Sequence, residues 1–188
     1  MSQETQVPDW EGHLHLAMAP TKLNDRVEWF AEKATEIGFN ELSFLDCQFS
    51  ERKVIKTERI DKILVSAMKQ SHKSLKPVLN EMTAFRRFVE EERIGDRFIC
   101  HCYEQDDVMP GTEKKHLLDV MQKGVPTTVL VGPEGDFSVD EVRLALENLG
   151  AAGNSTLCTG VVHSTENIGH AAVVGACGVG EGGAVDVV

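Results

Sequence analysis

The feature that most restricts what this chain can fold into is a repeated alternation between short β-patterned runs and helical stripes. His13-Leu14-His15-Leu16-Ala17-Met18 alternates in character as a strand does. Asn24 stands where a helix N-cap belongs. Val27, Phe30, Ala31, Ala34 and Ile37 follow at the i, i+3, i+4 spacing of a core-facing helix, with Gly38 at its C-cap position. Leu42-Ser43-Phe44-Leu45 predicts a second strand. Thr57 can cap a helix carrying Ile60, Ile63, Leu64, Ala67 and Met68. Pro77-Val78-Leu79 predicts a short strand, and Thr83 a cap for a helix through Phe85, Phe88 and Val89. A strand is expected over residues 97–103 and a helix from about Glu113 to Lys123, ending at Gly124. Thr127-Thr128-Val129-Leu130-Val131 is the most apolar strand. Ser138-Val139-Asp140-Glu141 is a capping box opening a helix with Val142, Ala145, Leu146 and Leu149 on one face. Strand and helix in turn predict an α/β fold with a mostly parallel sheet and helices on both faces.

The end of the chain is different in kind. From Ala151 to Val188 there is no Lys or Arg, and Gly, Ala and Val dominate. Residues 157–162 are expected to form a strand and 168–177 a small-residue helix, while glycines argue against a stable helix beyond Gly178. The organisation read from the sequence is a lead-in over residues 1–12, one domain over 13–177 and a Gly-rich tail over 178–188. The lead-in is polar and acidic, without the basic and then apolar order of a signal peptide, so a cytoplasmic location is expected. No run is long and apolar enough to span a membrane.

The net charge of −11 argues against a nucleic-acid partner as an average, but the charge is uneven. Residues 1–89 hold 13 basic and 13 acidic side chains, whereas residues 90–188 hold 6 and 17. Within the first half, residues 51–76 carry eight Lys and Arg against Glu51, Glu58 and Asp61. Such a stretch either contacts phosphates or is a solvated helix face with i,i+4 pairs. The five cysteines, Cys47, Cys100, Cys102, Cys158 and Cys177, are odd in number and irregular in spacing, which argues against a disulfide framework. On a strand Cys100 and Cys102 would share a face. They read as buried structural thiols, with a thiol nucleophile the other option. No CxxC or other metal-ligand spacing is present, so no metal is expected.

Chemistry concentrates at Val131-Gly132-Pro133-Glu134-Gly135-Asp136-Phe137, between the most apolar strand and the capped helix. In open α/β sheets, ligands bind outside the carboxyl ends of the strands. Gly132 and Gly135 allow backbone angles and close approach that a Cβ would block, Pro133 stiffens the loop, and Glu134 places a carboxylate at the rim. The pattern is not GxGxxG, so the dinucleotide fingerprint is not met. A tight strand-to-helix turn and a ligand loop both satisfy these residues.

That loop resembles the cofactor loop of the RsmE-type ribosomal-RNA methyltransferases, a family of the SPOUT class. Other segments agree in order. Lys22 to Gly38, with Arg26, Glu28, Lys33-Ala34-Thr35-Glu36, is similar to one family segment; Ser50-Glu51-Arg52 to its Glu-Arg motif; and Ala67-Met68-Lys69-Gln70-Ser71 with Pro77 to a third. The resemblance implies a C-terminal trefoil knot, a homodimer, and transfer of a methyl group from S-adenosylmethionine to N3 of a uridine in 16S ribosomal RNA. It places Leu130, Val131, Gly132, Pro133, Glu134, Gly135 and Leu157 at the cofactor, and Arg52 and Arg26 on the RNA side. For Arg52 a surface salt bridge with a neighbouring acid is the alternative.

Two departures bear on activity. The family begins with a PUA-like β-barrel that helps bind RNA, and only about a dozen residues precede the first strand here, so the barrel is expected to be missing. The knot-closing stretch of the family carries an arginine, where this chain has Leu157-Cys158-Thr159-Gly160-Val161-Val162-His163-Ser164-Thr165-Glu166. The alternative function is therefore a catalytically impaired domain that still binds S-adenosylmethionine. The tail reads as a divergent end or as the product of a shifted reading frame.

Overall fold

The computed structural model describes residues 11–111 and 117–150. Its framework is five parallel strands: β1 (Leu14–Met18), β2 (Glu41–Asp46), β3 (Val78–Ala84), β4 (Asp96–Cys100) and β5 (Thr127–Val131), in the order β3-β2-β1-β5-β4. Between and after them lie α1 (Asn24–Ile37), α2 (Thr57–Gln70), α3 (Phe85–Glu90), the short α4 (Gln105–Val108) and α5 (Leu117–Val120), and α6 (Val139–Gly150). β1 pairs with both β2 and β5, with Met18 beside Phe44 on one side and Val131 on the other. The chain builds outward from β1 through β2 to β3. It then crosses to the far edge and returns through β5 to the flank of β1, so the loops leaving β1 and β5 are neighbours.

Strands buried on both faces require two cores, and the side chains divide accordingly. Leu14, Leu16, Met18, Leu42, Phe44, Phe98 and Val129 pack with Val27, Phe30, Ala31 and Ala34 of α1 and Ile60 and Leu64 of α2. Ala17, Leu45, Ile99 and Leu130 pack on the opposite face with Phe85, Phe88 and Val89 of α3 and Val142, Ala145 and Leu146 of α6. The α/β sheet with helices on both faces is thus present. The knot expected of the C-terminal part falls on residues outside those described, as do the expected strand over 157–162, the helix over 168–177 and the tail.

Several local expectations are corrected. Asn24 does not cap α1: it is the first helical residue, and Leu23 at the N-cap makes no side-chain cap hydrogen bond. Thr57 likewise begins α2, and its hydroxyl donates to Glu81 Oε1 at 2.7 Å, a partner on β3. Thr83 lies within β3, which is longer than expected because half-exposed edge residues carry no apolar period. Ile37 is 39% exposed, beyond the buried stripe of α1. The strand expected over 97–103 ends at Cys100, so Cys102 is exposed while Cys47 and Cys100 are buried. The helix expected to run to Lys123 stops at Val120. Gly38 does terminate α1, its N–H donating to the Ala34 carbonyl at 2.7 Å.

Candidate functional site at the carboxyl ends of the strands

The capping box closes as the sequence predicts. Ser138 N–H donates to Glu141 Oε2 at 2.9 Å, and Glu141 N–H donates to Ser138 Oγ at 3.2 Å. This fixes the start of α6 and leaves residues 132–137 to turn the chain out of β5. Asp136 N–H donates to the Pro133 carbonyl at 2.9 Å, and Pro133 is buried while Glu134 and Gly135 are exposed. Neither Gly132 nor Gly135 adopts a left-handed φ; Asp136 does, at 65°. Its Oδ1 accepts from the N–H of Phe137 at 2.7 Å, the local hydrogen bond that lets an aspartate tolerate this region. Gly132 is required for space: a Cβ there would lie 3.0 Å from Phe137 N. At Gly135 a Cβ would make an ordinary 3.4 Å contact with Phe49 Cβ, so the expectation that both glycines are forced by geometry holds for one only.

Three carboxylates of this segment hold the three surrounding loops by their backbones. Glu134 Oε1 accepts from Lys22 N–H at 2.7 Å, tying the loop after β1. Glu141 Oε1 accepts from Gln48 N–H at 2.8 Å, tying the loop after β2. Asp136 Oδ2 accepts from Cys102 N–H at 2.7 Å, tying the loop after β4. A carboxylate accepting from N–H makes a charge-assisted bond, so the stretch from Glu134 to Glu141 is a hub for the loops after β1, β2 and β4. Tyr103 adds a bond from its hydroxyl to the Phe137 carbonyl at 2.7 Å, and burial pushes its phenol pKa up. The roles of Asp136 and Glu141 in holding distant loops were not foreseen. The only sequence signal for them was four acids, Glu134, Asp136, Asp140 and Glu141, within ten residues after an apolar strand.

Arg52 reaches the same edge from the loop after β2. Its Nε donates to the Thr21 carbonyl at 3.2 Å and a terminal nitrogen donates to the Lys22 carbonyl. The alternative of a salt bridge with a neighbouring acid is not what it makes: Glu51 pairs with Lys22 Nζ at 2.8 Å instead. That hydrogen bond raises the Lys22 pKa, Glu51's charge adding to it and Glu134's charge less so. Arg26 is half-buried in the first turn of α1, its N–H donating to the Leu23 carbonyl at 3.2 Å. Leu130 is fully buried, Val131 and Gly132 are half-buried, and Leu157 lies outside the described residues. The structure therefore brings Arg52, Glu134 and Gly132–Gly135 to one edge. Phe49, an exposed aromatic ring, lies over Gly135. Among the described residues no group of three or more His, Cys, Asp or Glu side chains could hold a metal ion, and no helix is long and apolar enough to cross a membrane.

Comparison with known proteins bears on this arrangement. The family described as RNA methyltransferase domain matches residues 8–153. The solved structure of a probable rRNA-methyltransferase from Porphyromonas gingivalis is 32% identical, with a TM-score of 0.77 over 93% of this chain and 69% of that one. A ribosomal RNA small subunit methyltransferase E from Neisseria gonorrhoeae, solved bound to S-adenosyl methionine, shares the fold at a TM-score of 0.72 and 17% identity, covering 92% of this chain and 68% of that one. The ribosomal RNA small subunit methyltransferase E of Rickettsia conorii is 21% identical over 146 residues, which are 77% of this chain and 56% of that protein. The chain thus spans little more than half the length of that curated relative.

Proposed function

Because this chain belongs to the RNA methyltransferase domain family, we propose that it transfers a methyl group from S-adenosylmethionine to small-subunit ribosomal RNA, at N3 of a uridine, as a homodimer. The observation that carries this reading is the carboxyl-edge loop, where Gly132 closes tightly on Phe137 and leaves Glu134 and Gly135 exposed beside the loop after β1. These residues fit the cofactor. Leu130, Val131, Gly132, Pro133 and Gly135 would supply backbone and apolar wall, and Glu134 would supply an acceptor for a hydroxyl or a cationic group. The cofactor would bring a methyl group on a sulfonium, which needs no metal to activate it. Leu157 belongs to the same proposal as part of the second wall.

Uridine N3 carries a proton whose pKa is well above neutral, so the target must lose it as the methyl group arrives. A guanidinium at this edge would stabilise the resulting anion; Arg52, which hydrogen-bonds the Thr21 and Lys22 carbonyls, would take that role, with Arg26 as the second candidate on the RNA side. Two donors of Arg52 are already given to the Thr21 and Lys22 carbonyls. That commitment favours a second reading, in which the domain binds cofactor without turnover.

Calorimetry with S-adenosylmethionine, followed by methyl transfer to small-subunit RNA with the modified base mapped, tests the proposal. Heat of binding and a methyl group on uridine N3 are expected. No heat from a folded sample would sink the cofactor reading, heat without transfer would leave the second reading standing, and transfer to another base would overturn the uridine assignment. Light scattering reads the dimer.

A further inference from the structure

Of the eight basic residues of 51–76, Arg59, Lys62 and Lys69 lie in α2 and Lys56 at its N-cap; Arg59, Lys62, Ser66 and Lys69 follow one another at steps of three and four, the spacing that stacks side chains along one side of a helix. Ile60, Leu64 and Ala67 take the buried side. Lys56, Arg59, Lys62 and Lys69 are exposed. Of the two acids in the helix, Asp61 lies off this line and is taken by Lys76 at 2.5 Å, and Glu58 flanks only the first turn. Arg59 is held by Glu28 of α1, Nε to Oε1 at 2.6 Å, so its guanidinium is fixed in place.

The line begins in a groove of about 870 Å³ between α1 and α2, where the cations Lys56, Arg59 and Lys62 stand against the carboxylates Glu28 and Glu58 beside the apolar Ile55 and Ile63. The amino end of α2, where Lys56 and the helix have no side-chain cap, opens into the same groove. Arg52 stands four residues before Lys56 and is anchored at the carboxyl edge of the sheet. The loop that carries Arg52 thus leads in sequence straight into the basic face of α2, on a chain whose net charge is otherwise negative.

We propose that this face of α2 is a track for the phosphate backbone of the RNA, carrying the strand past the groove and presenting its target base at the loop of Gly132–Gly135. This rests on the reading of the chain as acting on RNA. Glu28 takes up the charge of Arg59, so the positive excess rests on Lys56, Lys62 and Lys69, and a local positive excess on an acidic protein is what a polyanion needs, because net repulsion elsewhere confines it to that face. The groove supplies apolar surface at Ile55 and Ile63 where a nucleoside leaves the strand.

The test measures affinity for a small-subunit ribosomal RNA transcript across salt concentrations, for the wild type, for Lys62→Ala with Lys69→Ala, and for Arg86→Ala with Arg87→Ala. The last pair removes the same charge from α3 on the other face of the sheet. S-adenosylmethionine affinity is measured alongside. The α2 variant is expected to flatten the slope of log K against log salt by about 1.4, near 0.7 per lost single-strand phosphate contact, with cofactor affinity unchanged. The α3 variant is expected to leave the slope as it is. A wild-type slope in the α2 variant overturns the track, and equal flattening in both variants overturns it in favour of net charge alone. A wild type that binds cofactor and no RNA overturns the RNA reading with it, whereas the expected slopes without cofactor heat overturn only the cofactor reading.

Discussion

Lys22 donates its backbone N–H to Glu134 Oε1 at 2.7 Å, joining two loops that are 112 residues apart in sequence. The join follows from the strand order. β1 and β5 are neighbours running the same way, and their main chains already touch just beyond the strands, where Ala19 N–H donates to the Val131 carbonyl at 2.9 Å. Glu134 extends that pairing into the loops and brings a negative charge to the junction.

Replacing Glu134 separates its holding role from its charge. Glu134→Ala removes the acceptor, and a hydrogen bond on an exposed loop is worth about 1 kcal/mol, so the melting temperature should fall by only a few degrees. S-adenosylmethionine affinity should fall more, by roughly tenfold or above, because the loop and its charge are lost together. Glu134→Gln keeps an acceptor for Lys22 and should retain stability while still weakening the cofactor. Calorimetry and a thermal scan on the same samples check both.

The two glycines of the loop should respond differently to one methyl group. At Gly132 the added Cβ meets backbone and ring atoms of Phe137 at 3.0 and 3.1 Å, and a fully buried side chain cannot yield. Gly132→Ala is expected to cost about 1–3 kcal/mol by chemical denaturation. Gly135→Ala meets only the exposed Phe49 at van der Waals distance, without a left-handed φ, and should stay within about 0.5 kcal/mol. Equal costs at the two positions would contradict this geometry.

The contrast between these glycines shows what the sequence could and could not convey. The strand around Leu14–Met18 was legible from its alternation, Thr127–Val131 because a buried parallel strand writes itself as an apolar run, and the Ser138–Glu141 box because both partners lie within one turn. The caps expected from Asn24 and Thr57 were not legible, since the Thr57 hydroxyl is claimed by Glu81 from another strand. The same holds for Arg52: its partners are carbonyls 30 and 31 residues away, set by the packing of two loops and not by any neighbouring acid. Long-range pairing of a polar side chain with backbone leaves no periodicity. Asp136 in the left-handed region and the exposure of Cys102 both follow from where strands end, the boundary least marked in composition.

Arg52 should not tolerate lysine. Nε and a terminal nitrogen of its planar guanidinium reach the carbonyls of adjacent residues, a fork that a single ammonium cannot reproduce. Arg52→Lys and Arg52→Ala are both expected to raise amide hydrogen exchange in the loop after β1, while β1 and β5 stay protected. Methyl transfer should fall at least tenfold in both, with S-adenosylmethionine binding reduced less. Protection unchanged in Arg52→Ala would show that the two carbonyl bonds do not hold the loop.

His15 sets a pH dependence at the amino end of the sheet, far from the loop. It is buried on β1, its Nε2 2.8 Å from Ser43 Oγ, with Phe88 edge-on at 5.5 Å. Burial pushes its pKa down to about 4, against the opposing pull of Glu41, with Arg93 and His13 adding smaller downward contributions. The unfolded chain binds this proton near pH 6.5, so between pH 4 and 6.5 the unfolded state holds more protons than the folded one. The contribution is therefore fully present above about pH 6.5 and is lost as pH falls toward 4. Within that window its slope approaches 1.4 kcal/mol per pH unit. Urea denaturation from pH 7.5 to 5 should show stability falling with acid in the wild type. In His15→Gln, which keeps a polar group beside Ser43 and cannot take up the proton, the fall should be shallower. Parallel curves for the two proteins would mean that other groups carry the acid sensitivity.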